Sequence, residues 1–291
     1  MKKSKSKQKN EQTNEQINEQ INEKSYLHGY TEKEQDRLIH QARFLEPYVY
    51  AGIDLEYNKK LLEVGCGVGA QTKILTRRFP DLKIDGVDLS SEQLSTAKII
   101  LKDEIKSKRV RLFQQDAQKL SMPDAGQYDS AFVCWFLEHV PKPVEVLKQI
   151  RKQVKKGGKV YISEVFNQTL FMHPYSPAYL KYWFEFNDCQ WAMKGHPFIG
   201  AQLGNLLQEA GFVDIQTEIR PFHFDSREPE KKEAFTEYFF QILLSAEKTL
   251  LKEKRVTTSD IQKMKQEVEK VKKEKNSVFF YAFMRATAKV P

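Results

Sequence analysis

The run Glu63–Gly69 has glycine at positions 65, 67 and 69, between a short apolar stretch and an amphipathic one. Glycine lets the backbone turn sharply and approach a ligand, and free amides at the start of a helix attract an anionic group. The sequence therefore predicts a strand, a ligand-binding turn and a helix. Nicotinamide-binding enzymes usually space these glycines as Gly-x-Gly-x-x-Gly, so the third glycine comes one residue early for that cofactor.

From residue 60 onward, short apolar runs alternate with helical stretches, which is typical of a parallel sheet wrapped by helices. Seven strands are predicted, at residues 61–64, 83–88, 109–114, 128–135, 159–165, 212–219 and 277–287. We therefore expect an α/β fold with a Rossmann-like, seven-stranded, mostly parallel sheet. Helices should cover both faces, and insertions should add a helical cap.

The composition divides the chain into three parts. Residues 1–24 are polar and repetitive, and we predict a disordered tail because such a segment cannot bury enough apolar surface to fold. Residues 25–58 are predicted to form an N-terminal helical lid, with a capping box of Thr31 and Glu34 at the start of its helix. Residues 59–291 are predicted to hold the sheet and the cap.

Two insertions are predicted to form this cap. The first, at about residues 166–198, is rich in Phe, Tyr and Trp. The second, at about residues 228–276, is predicted to contain two helices, the later of which begins at a capping box of Ser259 and Gln262. Such aromatic density is typical either of a pocket lining or of a core beneath a long loop.

The net charge of +8 raises the question of nucleic-acid binding, because clustered Lys and Arg would neutralise phosphates. Much of the excess lies near the N-terminus and in residues 252–275, where Lys and Glu mix as on a solvated helix face. Nucleic-acid binding is therefore disfavoured.

The hydropathy and the cysteines point to a reduced, cytoplasmic protein. No apolar run approaches the roughly 18 residues that would span a bilayer. Three separated cysteines frame neither a disulfide scaffold nor a zinc site. We expect no membrane segment and no metal, and a monomer or a homodimer.

Two aspartates follow predicted strands, at the edge where open α/β sheets bind ligands. Asp88 comes about 20 residues after the glycines, where an acidic side chain can accept hydrogen bonds from both ribose hydroxyls of an adenosine cofactor. Its alternative role is to cap the next helix. Asp116 can accept from an adenine amino group while the amide of Ala117 donates to the ring, or it can simply start a turn.

Together these elements resemble class I S-adenosylmethionine-dependent methyltransferases of the small-molecule type that includes the ubiquinone-biosynthesis group. The resemblance covers about residue 26 to the C-terminus. It rests on six runs in this order: Leu62–Gly69, Gly86–Ser90, Gln115–Ala117, Tyr128–Val133, Leu137–Val140 and Lys156–Gly158. It implies S-adenosylmethionine as the methyl donor and S-adenosylhomocysteine as the product.

The resemblance also implies which residues bind the cofactor: Tyr26, Gly65, Cys66, Gly67, Gly69, Asp88, Leu89, Asp116, Ala117 and Cys134. The glycine turn would lie along the methionine part, and Asp88 would take the ribose. Leu89 would pack on adenine, whose edge the Asp116 and Ala117 pair would read. The backbone at the end of the fourth strand would lie beside the sulfonium. Tyr26 would close over the cofactor, unless it only packs the N-terminal helix.

Five residues are candidates for the acceptor pocket: Trp135, Tyr175, Trp183, Trp191 and His196. Aromatic faces near a sulfonium would add a cation–π attraction of about 0.5–2 kcal/mol. His139 is the candidate catalytic base, although a thiol or a neutral amine needs less help than a hydroxyl.

We therefore expect in-line transfer of a methyl group from S-adenosylmethionine to a small, partly apolar or aromatic acceptor. Three alternatives stay open at this point. An RNA methyltransferase would use the basic late helix, a nicotinamide oxidoreductase would use the same crevice, and a non-catalytic module would only bind the cofactor.

Overall fold

A computed structural model describes the backbone of residues 32–291 and the side chains from Glu34 onward. The predicted tail at residues 1–24, the predicted lid residue Tyr26 and the predicted capping residue Thr31 lie outside the described residues. In the described part of the chain, no helix is long and apolar enough to cross a membrane.

The predicted sheet is present and has eight strands within the described residues. In chain order they are β1 (Lys60–Val64), β2 (Lys83–Asp88), β3 (Val110–Gln114), β4 (Tyr128–Cys134), β5 (Val154–Val165), β6 (Phe171–His173), β7 (Val213–Phe224) and β8 (Val278–Lys289). The strands lie in the order β3-β2-β1-β4-β5-β8, and β6 and β7 also pair with β8. Along the stretch β3-β2-β1-β4-β5, each strand pairs in parallel with its neighbour. Every strand that pairs with β8 is antiparallel to it.

Helices connect these strands. In chain order they are α1 (Glu32–Val49), α2 (Ala70–Arg78), α3 (Ser91–Ile100), α4 (Lys102–Lys106), α5 (Pro143–Gln153), α6 (Pro177–Ala192), α7 (Leu203–Glu209), α8 (Pro229–Ser245), α9 (Glu247–Lys252) and α10 (Thr258–Lys273). A short 3-10 turn also follows β4 and contains residues 137–139.

Both faces of the sheet are covered, as predicted. Successive residues of a strand point to opposite faces. Leu61 and Phe132 belong to a buried cluster with α1, α2, α3 and the helices of the insertions, whereas Leu62 and Val133 pack with α5 and α7. Cover on both faces explains why the central strands are apolar throughout.

Three strands differ from the sequence prediction. β5 begins at Val154 instead of residue 159, because Val154 already pairs with Tyr128 of β4. The additional strand, β6, lies inside the first insertion, where only three residues pair with β8 and leave no periodic pattern. β7 continues to Phe224 instead of ending at Ile219, because its last residues still pair with β8. This extension includes Pro221, which an edge strand tolerates because one side of its backbone needs no partner.

The cap of the last long helix also differs. The prediction of Ser259 with Gln262 is wrong, because α10 begins two residues earlier, with Thr257 as its N-cap. Thr257 Oγ1 accepts from the Asp260 amide at 3.2 Å, and Asp260 Oδ2 accepts from the Thr257 amide at 2.9 Å. Aspartate thus fills the reciprocal position that the sequence motif reserves for Glu or Gln.

The two insertions pack against each other on one face of the sheet. The Tyr179 amide, in α6, donates to Glu267 Oε2 of α10 at 2.8 Å. The Tyr182 hydroxyl donates to the carbonyl oxygen of Leu243 in α8 at 3.0 Å. Their apolar sides belong to the same buried cluster as the sheet residues on that face. The helices of both insertions therefore form one cap.

A buried arginine joins α1 to the sheet. Arg285, on β8, is 4% exposed and donates to the carbonyl oxygens of Val49 and Ala51, at the end of α1. Its Nε also donates to Ser163 Oγ on β5 at 3.4 Å. This attachment places residues 37–45 of α1 beside the segments that follow β4 and β5.

Two buried glutamates stabilise the ends of strands. Glu63 Oε2, on β1, accepts from Thr72 Oγ1 of α2 at 2.6 Å. Glu164 Oε1, on β5, accepts from the amides of Phe136 at 3.0 Å and Leu137 at 2.7 Å, and so holds the segment after β4. Burial raises the pKa of each carboxyl to about 8. Both groups are therefore mostly protonated at neutral pH.

We predict that the folded state loses stability as the pH rises from about 4.5 to about 8. A carboxyl with a raised pKa keeps its proton in the folded state, whereas the unfolded chain releases it near its ordinary value. The stabilisation is therefore complete below pH 4.5 and is lost as the pH approaches 8. Urea unfolding across this range measures the slope.

The variant Glu164→Gln should flatten this slope, because an amide stays neutral at every pH in the range. Glu145→Gln on α5 is the matched control, since Glu145 is exposed and its pKa is lowered by the nearby Lys148. The control should keep the wild-type slope. A wild-type slope in Glu164→Gln would contradict the prediction.

Candidate functional site

The turn between β1 and α2 leaves space at the edge of the sheet. Gly65, Gly67 and Gly69 have φ values of 76°, 52° and 77°, which residues with a side chain rarely adopt. A Cβ at Gly65 would lie 2.3 Å from the Phe136 ring, whereas one at Gly67 would meet no described atom within 4 Å. Gly65 therefore permits close approach of the segment after β4, and Gly67 faces space that a ligand can fill.

Asp88 ties this turn to the end of β2. Its Oδ2 accepts from the Gly67 amide at 2.8 Å, and its Oδ1 accepts from the Ser90 amide at 2.9 Å. Burial raises the pKa of the Asp88 carboxyl, and the amide hydrogen bonds oppose that rise. Ser90 Oγ accepts from the Gln93 amide at 3.2 Å and so caps α3. The capping role therefore falls to Ser90, which leaves Asp88 at the turn.

The predicted adenine-binding residues lie at the ends of β2 and β3. Leu89 follows Asp88 and is 43% exposed, which is unusual for an apolar side chain next to a buried strand. Asp116 Oδ1 accepts from the Gln118 amide at 2.8 Å, so Asp116 does start a turn, as its alternative role requires. Ala117 is buried beside it. Their contact with adenine stays a prediction.

Two cysteines lie at the same edge. Cys66 is buried within the glycine turn, and Cys134 ends β4 and is partly buried. Burial raises the pKa of both thiols, so they are protonated at neutral pH. Among residues 34–291, no group of three or more His, Cys, Asp or Glu side chains is arranged to hold a metal ion. Both cysteine side chains are therefore uncharged groups at this edge of the sheet.

The segment after β4 turns sharply away from the strand. Trp135 has a φ of 50°, and its amide donates to the carbonyl oxygen of Ser163 at 2.9 Å. Glu164 accepts from the next two amides, and the Phe136 ring packs against Gly65. This segment is therefore held from both sides, between the glycine turn and β5.

A partly enclosed cavity of about 100 Å³ lies beside this segment. Its walls come from α1, from the segments after β4 and β5, from α6 and α8, and from β7 and β8. Three residues predicted from the sequence line it: Trp135, His139 and Trp183. Tyr238 and Tyr281 add aromatic surface that the sequence did not assign to a site.

The other three predicted pocket residues do not line this cavity. Tyr175 is 77% exposed and precedes α6, and Trp191 is 54% exposed near the C-terminal end of that helix. The His196 ring packs on Trp191 with centroids 4.9 Å apart, and its Nδ1 accepts from the Phe198 amide at 3.3 Å. Trp191 and His196 thus pack together outside this cavity, whereas Tyr175 lies at the opposite end of α6.

A polar cluster around Glu138 closes one side of the cavity. Glu138 is 7% exposed; its Oε2 accepts from Gln190 Nε2 at 2.7 Å, and its Oε1 lies 3.6 Å from His139 Nε2. The backbone oxygen of Glu138 accepts from the His196 amide at 2.7 Å. Sequence reasoning missed Glu138 and Gln190 as site residues. The Leu-Glu-His run after β4 was a signal for Glu138, whereas Gln190 lies 52 positions from its partner and has no local signal.

The chain is similar in sequence to known proteins. The sequence model of a family described as a methyltransferase domain matches residues 30–217. The ubiquinone biosynthesis O-methyltransferase of Acinetobacter baylyi is 33% identical over 107 residues, which cover 37% of this chain and 44% of that protein. The chain therefore spans less than half the length of this curated relative.

Two solved structures are similar in fold. Phosphoethanolamine N-methyltransferase 2 of Haemonchus contortus has a TM-score of 0.55 at 19% identity, over 87% of this chain and 52% of that chain. Geranyl diphosphate C-methyltransferase from Streptomyces coelicolor A3(2) has a TM-score of 0.52 at 13% identity, over 87% of this chain and 79% of that chain. Together with the curated relative, these proteins are named as O-, N- and C-methyltransferases. The shared fold therefore does not determine which acceptor atom is methylated.

The family match covers more than half of the 291 residues. The glycine turn, Asp88 and the ordered runs after β3 and β4 lie at one edge of the sheet. Both findings confirm the resemblance that the sequence predicted. The chain belongs to the methyltransferase domain family and, within it, to the class I S-adenosylmethionine-dependent methyltransferases.

Proposed function

We propose that this chain transfers a methyl group from S-adenosylmethionine to a small, partly apolar or aromatic acceptor held in the partly enclosed cavity. The position of the cavity carries this proposal. Trp135 lines it, and the next residue, Phe136, packs against Gly65 of the glycine turn. The cofactor edge and the cavity therefore share one segment of chain, at the edge where open α/β sheets bind ligands.

The residues at this edge suit an adenosine cofactor. Space lies over Gly67, and each oxygen of the Asp88 carboxylate retains a lone pair beyond its amide partner. In the proposed arrangement Asp88 accepts from the ribose hydroxyls, Leu89 packs on adenine, and Asp116 with Ala117 reads the adenine edge. The bound cofactor supplies a methyl group on a positively charged sulfur.

The main contribution of the protein to this reaction is alignment. An in-line displacement needs the acceptor atom held at the methyl carbon and water excluded, and such alignment can lower the barrier by about 7–11 kcal/mol. The aromatic walls of the cavity exclude water. His139 lines the cavity and lies 3.6 Å from Glu138, so a proton that leaves the acceptor has a route through this pair.

The size of the cavity limits the acceptor. A dry cavity of roughly 150 Å³ holds a benzene ring. The cavity here has only about 100 Å³ but is partly open to solvent. It therefore suits a short chain, or a single small ring that extends beyond the cavity, rather than a long polymer segment.

The RNA alternative depends on the basic late helix, α10. Lys265 forms an ion pair with Glu247 at 3.1 Å, and Lys272 pairs with Glu269 at 3.0 Å and with Glu237. These lysines are neutralised by carboxylates of the cap itself. The charge of α10 therefore favours a structural role over RNA binding.

We predict that Asp88→Ala weakens S-adenosylmethionine binding by about 1–3 kcal/mol, because it removes the acceptor of the ribose hydroxyls. Calorimetric titration measures the affinity. Asp88→Asn, which keeps one oxygen, should have an intermediate effect. Asp81→Ala is the matched control at an exposed aspartate and should bind like the wild type. An unchanged affinity in Asp88→Ala would remove the ribose assignment.

We also predict that Ile242→Phe blocks methyl transfer without weakening cofactor binding. Ile242 lines the cavity from α8, so a larger side chain fills the acceptor space and leaves the glycine turn untouched. Release of S-adenosylhomocysteine with a panel of small amines, thiols and phenols should fall at least about tenfold. Ile99→Phe, at a 77% exposed position, is the matched control. Full turnover in Ile242→Phe would exclude the cavity as the acceptor site.

A further inference from the structure

Among the described residues, Glu138 is the one acidic side chain that lines the cavity, and the basic side chains that line it are Arg37 and His139. His139 Nε2 lies 3.6 Å from Glu138 Oε1. Arg37 donates to both carboxylate oxygens of Glu34, at 2.8 and 2.5 Å, and to Gln41 Oε1 at 2.6 Å, so its charge is compensated within α1. Glu138 forms no ion pair with a Lys or Arg of the described residues.

A second carboxyl, that of Glu164, adds no charge near the cavity. Glu164 is fully buried; Oε1 accepts two backbone amides, whereas Oε2 is buried without a partner among the described residues. Burial, reinforced by the charge of Glu138, raises the pKa of Glu164 to about 8. Glu164 therefore stays mostly protonated at neutral pH, which leaves Glu138 as the acidic side chain at the cavity wall.

The remaining walls favour a positive charge as well. Trp135, Trp183, Phe239, Tyr238 and Tyr281 line the cavity. Burial raises the pKa of both tyrosines, so their rings are neutral phenols. Aromatic faces attract a nearby cation. A buried carboxylate without a Lys or Arg partner is costly, and a ligand with a positive charge reduces that cost.

We infer that the acceptor is a small amine that enters as its ammonium form, with its charged nitrogen at Glu138 and its apolar part against the aromatic walls. This inference rests on the proposed methyl transfer. A phenolate or a carboxylate would place a second negative charge beside Glu138 and is disfavoured. The acceptor class thus follows from the sign of the charge in the cavity.

The proton and electron balance is simple. The ammonium transfers one proton to the Glu138 carboxylate, which leaves a neutral amine with a lone pair on nitrogen. That lone pair forms the new N–C bond while the C–S bond breaks, and the sulfur keeps the bonding electrons. The positive charge passes from sulfur to the methylated nitrogen. The proton on Glu138 leaves through His139, whose Nε2 lies 3.6 Å from Glu138 Oε1.

Three probes of matched shape test the inference: benzylamine, benzyl alcohol and phenylacetate. Calorimetry measures their binding to the full chain saturated with S-adenosylhomocysteine. We expect the wild type to bind benzylamine at least about tenfold more tightly than the other two probes. Glu138→Gln should abolish this preference because it removes the charge and keeps the shape. Glu145→Gln removes an exposed carboxylate and should keep the preference.

The comparison of the three probes in the wild type tests the amine inference even if Glu138→Gln is unstable. Binding of benzyl alcohol or phenylacetate as tight as that of benzylamine overturns the amine inference. A preference for benzylamine that survives in a folded Glu138→Gln overturns the role of Glu138. Transfer to hydroxyl or thiol acceptors but not to amines also overturns the inference and leaves the proposed function in place. Failure to bind S-adenosylhomocysteine overturns the proposed function itself.

Discussion

The hydrogen bond from the Gly67 amide to the Asp88 carboxylate joins the two elements on which the site depends. The turn after β1 has three glycines with positive φ and no side chain of its own to stabilise it. Asp88 binds it from the neighbouring strand and also holds the start of α3 through Ser90. Glu164 has the same role at β5, where it accepts amides of the segment after β4. These two carboxyl groups bring both sides of the site together where Phe136 meets the glycine turn.

The position of the glycine turn and Asp88 at one edge of the sheet could be predicted from the sequence because its signals are local. A glycine turn and an aspartate at the next strand end lie within one strand–helix–strand unit, and short spacing fixes their geometry. The cavity could not be predicted, because its walls come from seven separate parts of the chain. Trp183 and Trp191 lie on the same helix, yet packing against the cap buries the first and leaves the second exposed. The partner of Glu138 and the short strand β6 likewise depend on tertiary contacts.

Global and local charge have opposite signs in this protein. The chain has a net charge of +8, but two of its late lysines, Lys265 and Lys272, pair with carboxylates on the cap surface. The cavity, by contrast, has Glu138 at its wall and Arg37 already neutralised by Glu34. A small ligand responds to the nearest buried charges, because water and salt screen the surface lysines. Composition therefore describes the outer surface and leaves the field at the site to particular residues.

The attachment of α1 through Arg285 links the cavity wall to the binding edge of the sheet. The helix is fixed at its C-terminal end by the bonds to the carbonyl oxygens of Val49 and Ala51. Near its N-terminal end, Gln35 Oε1 accepts from Thr96 Oγ1 of α3 at 2.9 Å. The first turn of α3 begins at Ser90, whose amide donates to Asp88. The wall that α1 gives to the cavity is therefore connected through α3 to the strand end that bears Asp88, and a displacement of one is transmitted to the other.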